Sequence, residues 1–169
     1  DGCRFSEAKT VRFRHNDIKD LAKVLENVPN DAGKLVIVDG IFSMEGDIAN
    51  LPEIVRIAKP YGVRIMVDDA HSLGVLGPNG NGTAASFGLD DQIDLIMGTF
   101  SKSFGALGGF IAGAHEVVDY VKHSARSMIF TASLPPSVVA STRAALQIIK
   151  TEPERRHRLI EIGNYMRRE

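Results

Sequence analysis

Arg64-Ile65-Met66-Val67-Asp68-Asp69-Ala70-His71 decides the fold. A short apolar run ends abruptly on ionisable side chains. That pattern suits a buried strand of an α/β sheet whose carboxyl end opens on a site. Upstream, Leu35-Val36-Ile37-Val38 is wholly apolar and reads as a strand buried on both faces. Between the two, residues 51–60 predict a helix that turns Leu51, Ile54, Val55 and Ala58 inward. Downstream, Asp94-Leu95-Ile96-Met97 is a third strand and Gly109-Phe110-Ile111-Ala112 a fourth. Helical periodicity follows over 116–125, 137–150 and 153–168, with Pro153 early in the last helix, where its missing N–H costs little. Near the start, Asn16 or Asp17 can cap a helix with Ile18, Leu21, Val24 and Leu25 on one face. Before it, Val11-Arg12-Phe13-Arg14 alternates like a half-exposed strand. Strands alternating with helices predict an α/β layer structure, a mainly parallel sheet flanked by helices.

The bulk composition narrows the function classes. With 169 residues, 44% hydrophobic and 24% charged, the chain is long enough for one domain with a real core. A formal net charge of -1 gives no overall attraction to nucleic acid or anionic membrane. No apolar run approaches a transmembrane length, and no signal region opens the chain. Cys3 is the single cysteine, so an internal disulfide is impossible, and a reducing cytoplasmic setting fits. The chain starts without Met, as a processed or excerpted sequence would.

In such sheets a ligand sits beyond the carboxyl ends of the strands. Ser43 and Asp47 follow the first apolar strand, Asp68, Asp69 and His71 the second, and Thr99, Ser101 and Lys102 the third. Lys102 lies in Gly98-Thr99-Phe100-Ser101-Lys102-Ser103-Phe104-Gly105. A lysine amine attacks an aldehyde when part of its population is neutral, and small neighbours let a planar cofactor approach the backbone. A solvated loop lysine is the plain alternative. Asp68 ends an apolar strand, and a desolvated carboxylate needs a partner; a protonated pyridine nitrogen is one, loop amides are another. His71 can bond a cofactor oxygen and transfer protons near neutral pH. Asp68-Asp69 also suggests a magnesium pair, but no phosphate-loop motif accompanies it.

Other features read as background. Asn79-Gly80-Asn81-Gly82 is a turn cluster. Arg155-Arg156-His157-Arg158 reads as a solvated helix face offset by Glu152, Glu154 and Glu161. His15, His115, His123 and His157 have no setting comparable to His71, and no His/Cys cluster has zinc spacing, so no metal site is expected. A hydrolase using Ser101 or Ser103 lacks the GxSxG elbow.

Three motifs in order, Val38-Asp39-Gly40-Ile41-Phe42-Ser43-Met44-Glu45-Gly46-Asp47, Val67-Asp68-Asp69-Ala70-His71-Ser72-Leu73-Gly74 and Gly98 to Gly105, resemble the α-oxoamine synthases. These are fold-type-I enzymes that use pyridoxal 5′-phosphate (PLP) to condense an amino acid with an acyl-CoA, releasing CoA and carbon dioxide. The resemblance runs through Phe130-Thr131-Ala132-Ser133-Leu134-Pro135-Pro136. It implies that Lys102 forms the Schiff base and moves protons at the α-carbon, and that His71 shares in catalysis and bonds the phenolic oxygen. It implies further that Asp68 pairs with the pyridinium nitrogen, Ala70 packs beside the ring and Ser43 lies near the cofactor oxygen. Thr99 would hold the phosphate, and Thr131 would reach the phosphate of the neighbouring subunit of a homodimer. Within the family, residues 97–105 are most similar to the serine palmitoyltransferase branch, with the 8-amino-7-oxononanoate synthases next.

Family members are longer. The resemblance implies that residues 1–169 form a single partial domain, the middle of the large PLP-binding domain. A histidine that stacks on the ring would precede it, and a small C-terminal domain with a carboxylate-binding arginine would follow. The chain by itself would then bind PLP weakly and turn over poorly. Two alternatives stay open: another PLP reaction on the same fold (glycine C-acetyltransferase, aminotransferase, aldolase or lyase), and a non-catalytic module with a vestigial site.

Overall fold

Four strands form one sheet in the order β1-β2-β3-β4: β1 Leu35–Asp39, β2 Arg64–Asp68, β3 Leu95–Thr99 and β4 Gly109–Gly113. β1–β2 and β2–β3 are parallel and β4 returns antiparallel to β3, so the sheet is mainly parallel as expected. The structure is a computed structural model and describes residues 2–168. The helices are α1 Gly2–Phe5, α2 Ile18–Glu26, α3 Leu51–Ala58, α4 Thr83–Ser86, α5 His115–Ser124, α6 Arg126–Ile129, α7 Pro136–Thr151 and α8 Glu154–Met166. The short α1, α4 and α6 have no periodic signal in sequence.

Local chemistry sets the helix ends. Asp17, rather than Asn16, caps α2: its carboxylate accepts the Asp20 amide N–H at 2.9 Å. α3 begins with Leu51-Pro52, runs into a 3₁₀ turn over Lys59–Tyr61, and stops at Gly62 in the left-handed region (φ 63°). The expected strand over residues 11–14 does not form. The Arg14 amide donates to Asp20 at 2.8 Å and its guanidinium pairs with Asp17 at 2.9 Å, so this stretch serves the α2 terminus and pairs with no strand.

Strand alternation divides the side chains between the two sheet faces. Val36, Val38, Ile65 and Val67 point to one face and pack with Leu21 and Leu25 of α2 and Leu51, Ile54, Val55 and Ala58 of α3. These are the inward positions foreseen for α3. The other face carries Leu35, Ile37 and Asp39 of β1, registered with Arg64, Met66 and Asp68 of β2. Leu35 is 54% exposed and Ile37 39%, so β1 is buried on one face and not on both. No layer of the described residues covers that face at β1. None of the described helices is long and apolar enough to cross a membrane.

Candidate active site

β2 delivers Asp68 to the open face and Asp69 to the interior. The half-buried Asp68 accepts the Ala70 amide N–H at 3.0 Å, which starts the turn that carries His71. Asp69 is 0% exposed, so its charge must be answered by hydrogen bonds. Ser72 Oγ donates to Oδ1 at 2.7 Å and the Thr83 amide donates to Oδ2 at 3.0 Å. Thr83 Oγ1 in turn donates to Ser72 Oγ at 2.7 Å. Gly40 and Gly82 border this knot closely. A Cβ on Gly40 would lie 2.2 Å from both Asp69 Oδ1 and Thr83 Oγ1, and one on Gly82 would lie 2.1 Å from Asp69 Oδ2. The two adjacent aspartates therefore do not converge on one point as a magnesium pair would. Asp69 braces the loop that Asp68 and His71 occupy.

The loop after β3 presents Lys102. The Phe100 amide donates to the Gly108 carbonyl at 2.9 Å, the Ala106 amide to Phe100 at 2.7 Å and the Gly105 amide to Lys102 at 2.9 Å. Gly105 (φ 58°) and Gly108 (φ 101°) supply the left-handed turns this needs. Thr99 Oγ1 and Ser101 Oγ share a hydrogen bond of 2.8 Å, and the Ser101 amide donates to Thr99 Oγ1 at 3.2 Å. Lys102 is exposed and makes no ion pair among the described residues. The two loops touch: a Cβ on Gly74 would come 2.8 Å from Ser103 Cβ.

Between these loops and the α7–α8 corner lies an open cavity of about 450 Å³. Ala70, His71, Lys102 and Ser103 line one side, and Ile148, Ile149, Arg156 and Leu159 are among the residues opposite. The structure thus brings Lys102, His71 and Ala70 to one cavity, with Asp68 and Thr99 at the ends of the neighbouring strands. Like Asp68 and Thr99, two further candidates are not part of that lining. Ser43 is exposed on the loop closed by the Ile41–Ile48 bridge. Thr131 is exposed after α6, its hydroxyl donating to the Ser127 carbonyl.

Three features correct or extend the sequence reading. Arg156 is not solvated: it is 8% exposed and donates to the carbonyls of Ile149 at 2.6 Å and Pro78 at 3.4 Å. Arg155 and Arg158 do form the expected exposed pairs, with Glu152 and Glu161. His15 has a definite setting, with Nε2 3.0 Å from both Asp47 oxygens and its ring edge-on to Phe42 at 4.4 Å. Asn16 also donates to Asp47 at 2.9 Å; that hydrogen bond, followed by His15, holds the Asp47 carboxyl below the ordinary range. The cluster ties residues 15 and 16 to the loop that carries Ser43. Finally, Asp39 ends β1 beside Asp68. Burial first, and then the Asp68 charge, raise its pKa, against the pull of His71 and Lys102. The rule that nominates residues at strand ends would have found it.

The family model for aminotransferase class I and II matches residues 1–169. A serine palmitoyltransferase of Sphingobacterium spiritivorum is 54% identical over 169 residues, covering 100% of this chain and 42% of that protein. An 8-amino-7-oxononanoate synthase of Lysinibacillus sphaericus is 48% identical over 167 residues, covering 99% of this chain and 43% of that protein. A solved structure of SPT with PLP internal aldimine is similar at a TM-score of 0.91 and 48% identity, covering 95% of this chain and 40% of that one. The chain therefore spans less than half the length of these relatives.

Proposed function

The chain belongs to the aminotransferase class I and II family, in its α-oxoamine synthase branch, and from that premise we propose that it carries the cofactor-binding centre of a PLP-dependent acyltransferase that joins an amino acid to an acyl-CoA. The observation that carries this reading is the meeting of Lys102 and His71 in one cavity, with Asp68 at the end of the strand between the β1 and β3 rims. The donor set fits PLP: an accessible amine for the aldehyde, a carboxylate for the ring nitrogen, an imidazole for the ring oxygen and paired hydroxyls for the phosphate. Bound there, the cofactor supplies an aldehyde carbon for the Lys102 amine and an electron-withdrawing ring for the charge developed at the substrate α-carbon.

The protein's own residues do the rest. Asp68 holds the proton on the ring nitrogen, its position fixed by the Ala70 amide. His71 donates to the ring oxygen, on a turn braced by the buried Asp69 knot. Thr99 and Ser101 present hydroxyls to the phosphate, and the small Ala70 leaves room for the ring. Lys102 would take the α-proton of the amino acid. Ser43 and Thr131 act from outside this cavity, Ser43 from the β1 loop and Thr131 toward the site of a second copy in a homodimer.

The 54% identity to a serine palmitoyltransferase favours serine and a long-chain acyl-CoA as substrates, in a cytoplasmic protein of which residues 1–169 are the middle of the large domain. The 48% identity to an 8-amino-7-oxononanoate synthase supports the second reading. The test is CoA release by the protein extended to the length of its relatives and loaded with PLP. Release with palmitoyl-CoA and serine is the expected result. Release only with short acyl-CoA donors favours the second reading, and keto-acid formation without an acyl donor contradicts both. Robust condensation by residues 1–169 alone would overturn the partial-domain reading.

A further inference from the structure

Arg156 is a buried charge for which the proposed mechanism has no use. It lies on α8 and makes no ion pair among the described residues; Glu152, one turn away, is paired with the exposed Arg155 at 2.6 Å. A guanidinium buried without a carboxylate needs other acceptors for its N–H groups. Two carbonyls from separate parts of the chain supply them. Nη1 donates to Ile149, in the last turn of α7, at 2.6 Å, and Nη2 donates to Pro78 at 3.4 Å. Pro78 belongs to the loop that runs on from His71. That loop folds back on itself, the Gly74 amide donating to the Gly80 carbonyl at 2.7 Å. The stem of Arg156 packs on the same turn: a Cβ on Gly80 would lie 3.0 Å from Arg156 Cδ and 3.2 Å from Gly74 Cα. Gly74 is where the parts meet. A Cβ there would lie 2.8 Å from Ser103 Cβ, next to Lys102, and 3.3 Å from Ile149 Cδ1. Through Gly80 and Gly74, Arg156 therefore backs the place where the His71 loop meets the Lys102 loop. All three side chains, His71, Lys102 and Arg156, line one cavity.

We propose that Arg156 is a positioning residue of the Lys102 centre: its hydrogen bonds to Ile149 and Pro78 fix the loop after His71 against the α7–α8 corner, and so set His71 and Lys102 relative to each other across the cavity. The proposal rests on the PLP reading and adds to it a residue that acts through the two loops, without touching cofactor or substrate. The place calls for a planar fork, because carbonyls of two different elements need two donors at a fixed spacing.

The test uses the protein at the length of its relatives and titrates PLP binding by visible absorbance, with urea unfolding measured alongside. Arg156→Ala is expected to weaken PLP binding about tenfold or more. Arg156→Lys keeps the charge but reaches one carbonyl at a time, so its affinity should fall between that of the Ala variant and the wild type. It also serves if the Ala variant does not fold. Ethylguanidinium, which matches the atoms removed, is expected to restore PLP binding to a folded Arg156→Ala protein. Arg158→Ala, which breaks only the exposed pair with Glu161, should leave the affinity unchanged. PLP affinity unchanged in the Arg156 variants, whatever happens to the urea midpoint, overturns the proposal and leaves Arg156 a purely structural residue. An equal loss in Arg158→Ala, or no recovery with ethylguanidinium, overturns it too. Absence of any visible band in the wild type would instead overturn the PLP reading itself.

Discussion

Residues 18–98 and residues 109–168 are built on opposite terms. In the first stretch a sheet face and two amphipathic helices close on one another, and every apolar side chain of the buried core lies between Leu21 and Ala85. In the second, α5 to α8 are well-formed helices, yet among the described residues only Arg156 is buried. Tyr120, Phe130, Leu159 and Tyr165 stay exposed, Phe130 at 77%. The site sits at the seam, with His71 supplied by the packed half and α7–α8 closing the cavity from the other. Stability and site architecture are therefore separable, and mutations should report them separately.

The largest contrast is expected between Leu51→Ala and Leu159→Ala. Leu51 is fully buried, and its truncation should cost about 2–5 kcal/mol in urea unfolding. The half-exposed Leu159 should cost less than about 1 kcal/mol. Comparable losses at both positions would break the division. Next comes Gly40→Ala, whose added methyl meets Asp69 and Thr83 and should cost about 1–3 kcal/mol. Asp69→Ala should cost a similar amount by leaving Ser72 and the Thr83 amide without their acceptor. Both variants should also loosen His71, seen as faster amide exchange over residues 70–76.

The smallest expected effects are electrostatic and opposite in sign. Asp47 has a lowered pKa, so the stability it contributes is present above roughly pH 3.9 and lost as pH falls through its folded value. Asp39 has a raised pKa, so its contribution is present below roughly pH 3.9 and lost as pH rises through its folded value. Asp47→Asn should therefore flatten the acid limb of the stability profile. Asp39→Asn should raise stability slightly at neutral pH and not in acid. Thermal unfolding of both variants between pH 3 and 7 checks the two signs together.

Much of this was legible in sequence because the signals are local. Apolar runs gave the strands, the spacing of Leu51, Ile54, Val55 and Ala58 gave the buried face of α3, and the strand-end rule led to Asp68, His71 and Lys102. What was not legible depends on distant partners. Arg156 looks like one of a row of surface arginines until the carbonyl of Pro78, far away in sequence, is seen beneath it. The alternation of residues 11–14 is genuine, but Arg14 is claimed by the α2 terminus. Leu35 and Ile37 are as apolar as Val36 and Val38; which face of β1 is covered depends on what packs there. Asp39 closes its apolar run as Asp68 does, but that the two stand side by side follows from the β1–β2 register, which no local pattern encodes.

The central claim is that Lys102 is the amine that bonds the cofactor. The most direct measurement is borohydride reduction of the PLP-treated protein, at the length of its relatives, followed by peptide mapping. The account predicts one pyridoxyl adduct on the peptide containing Lys102, absent from Lys102→Ala. An adduct on a different lysine, or no adduct at all, would contradict it.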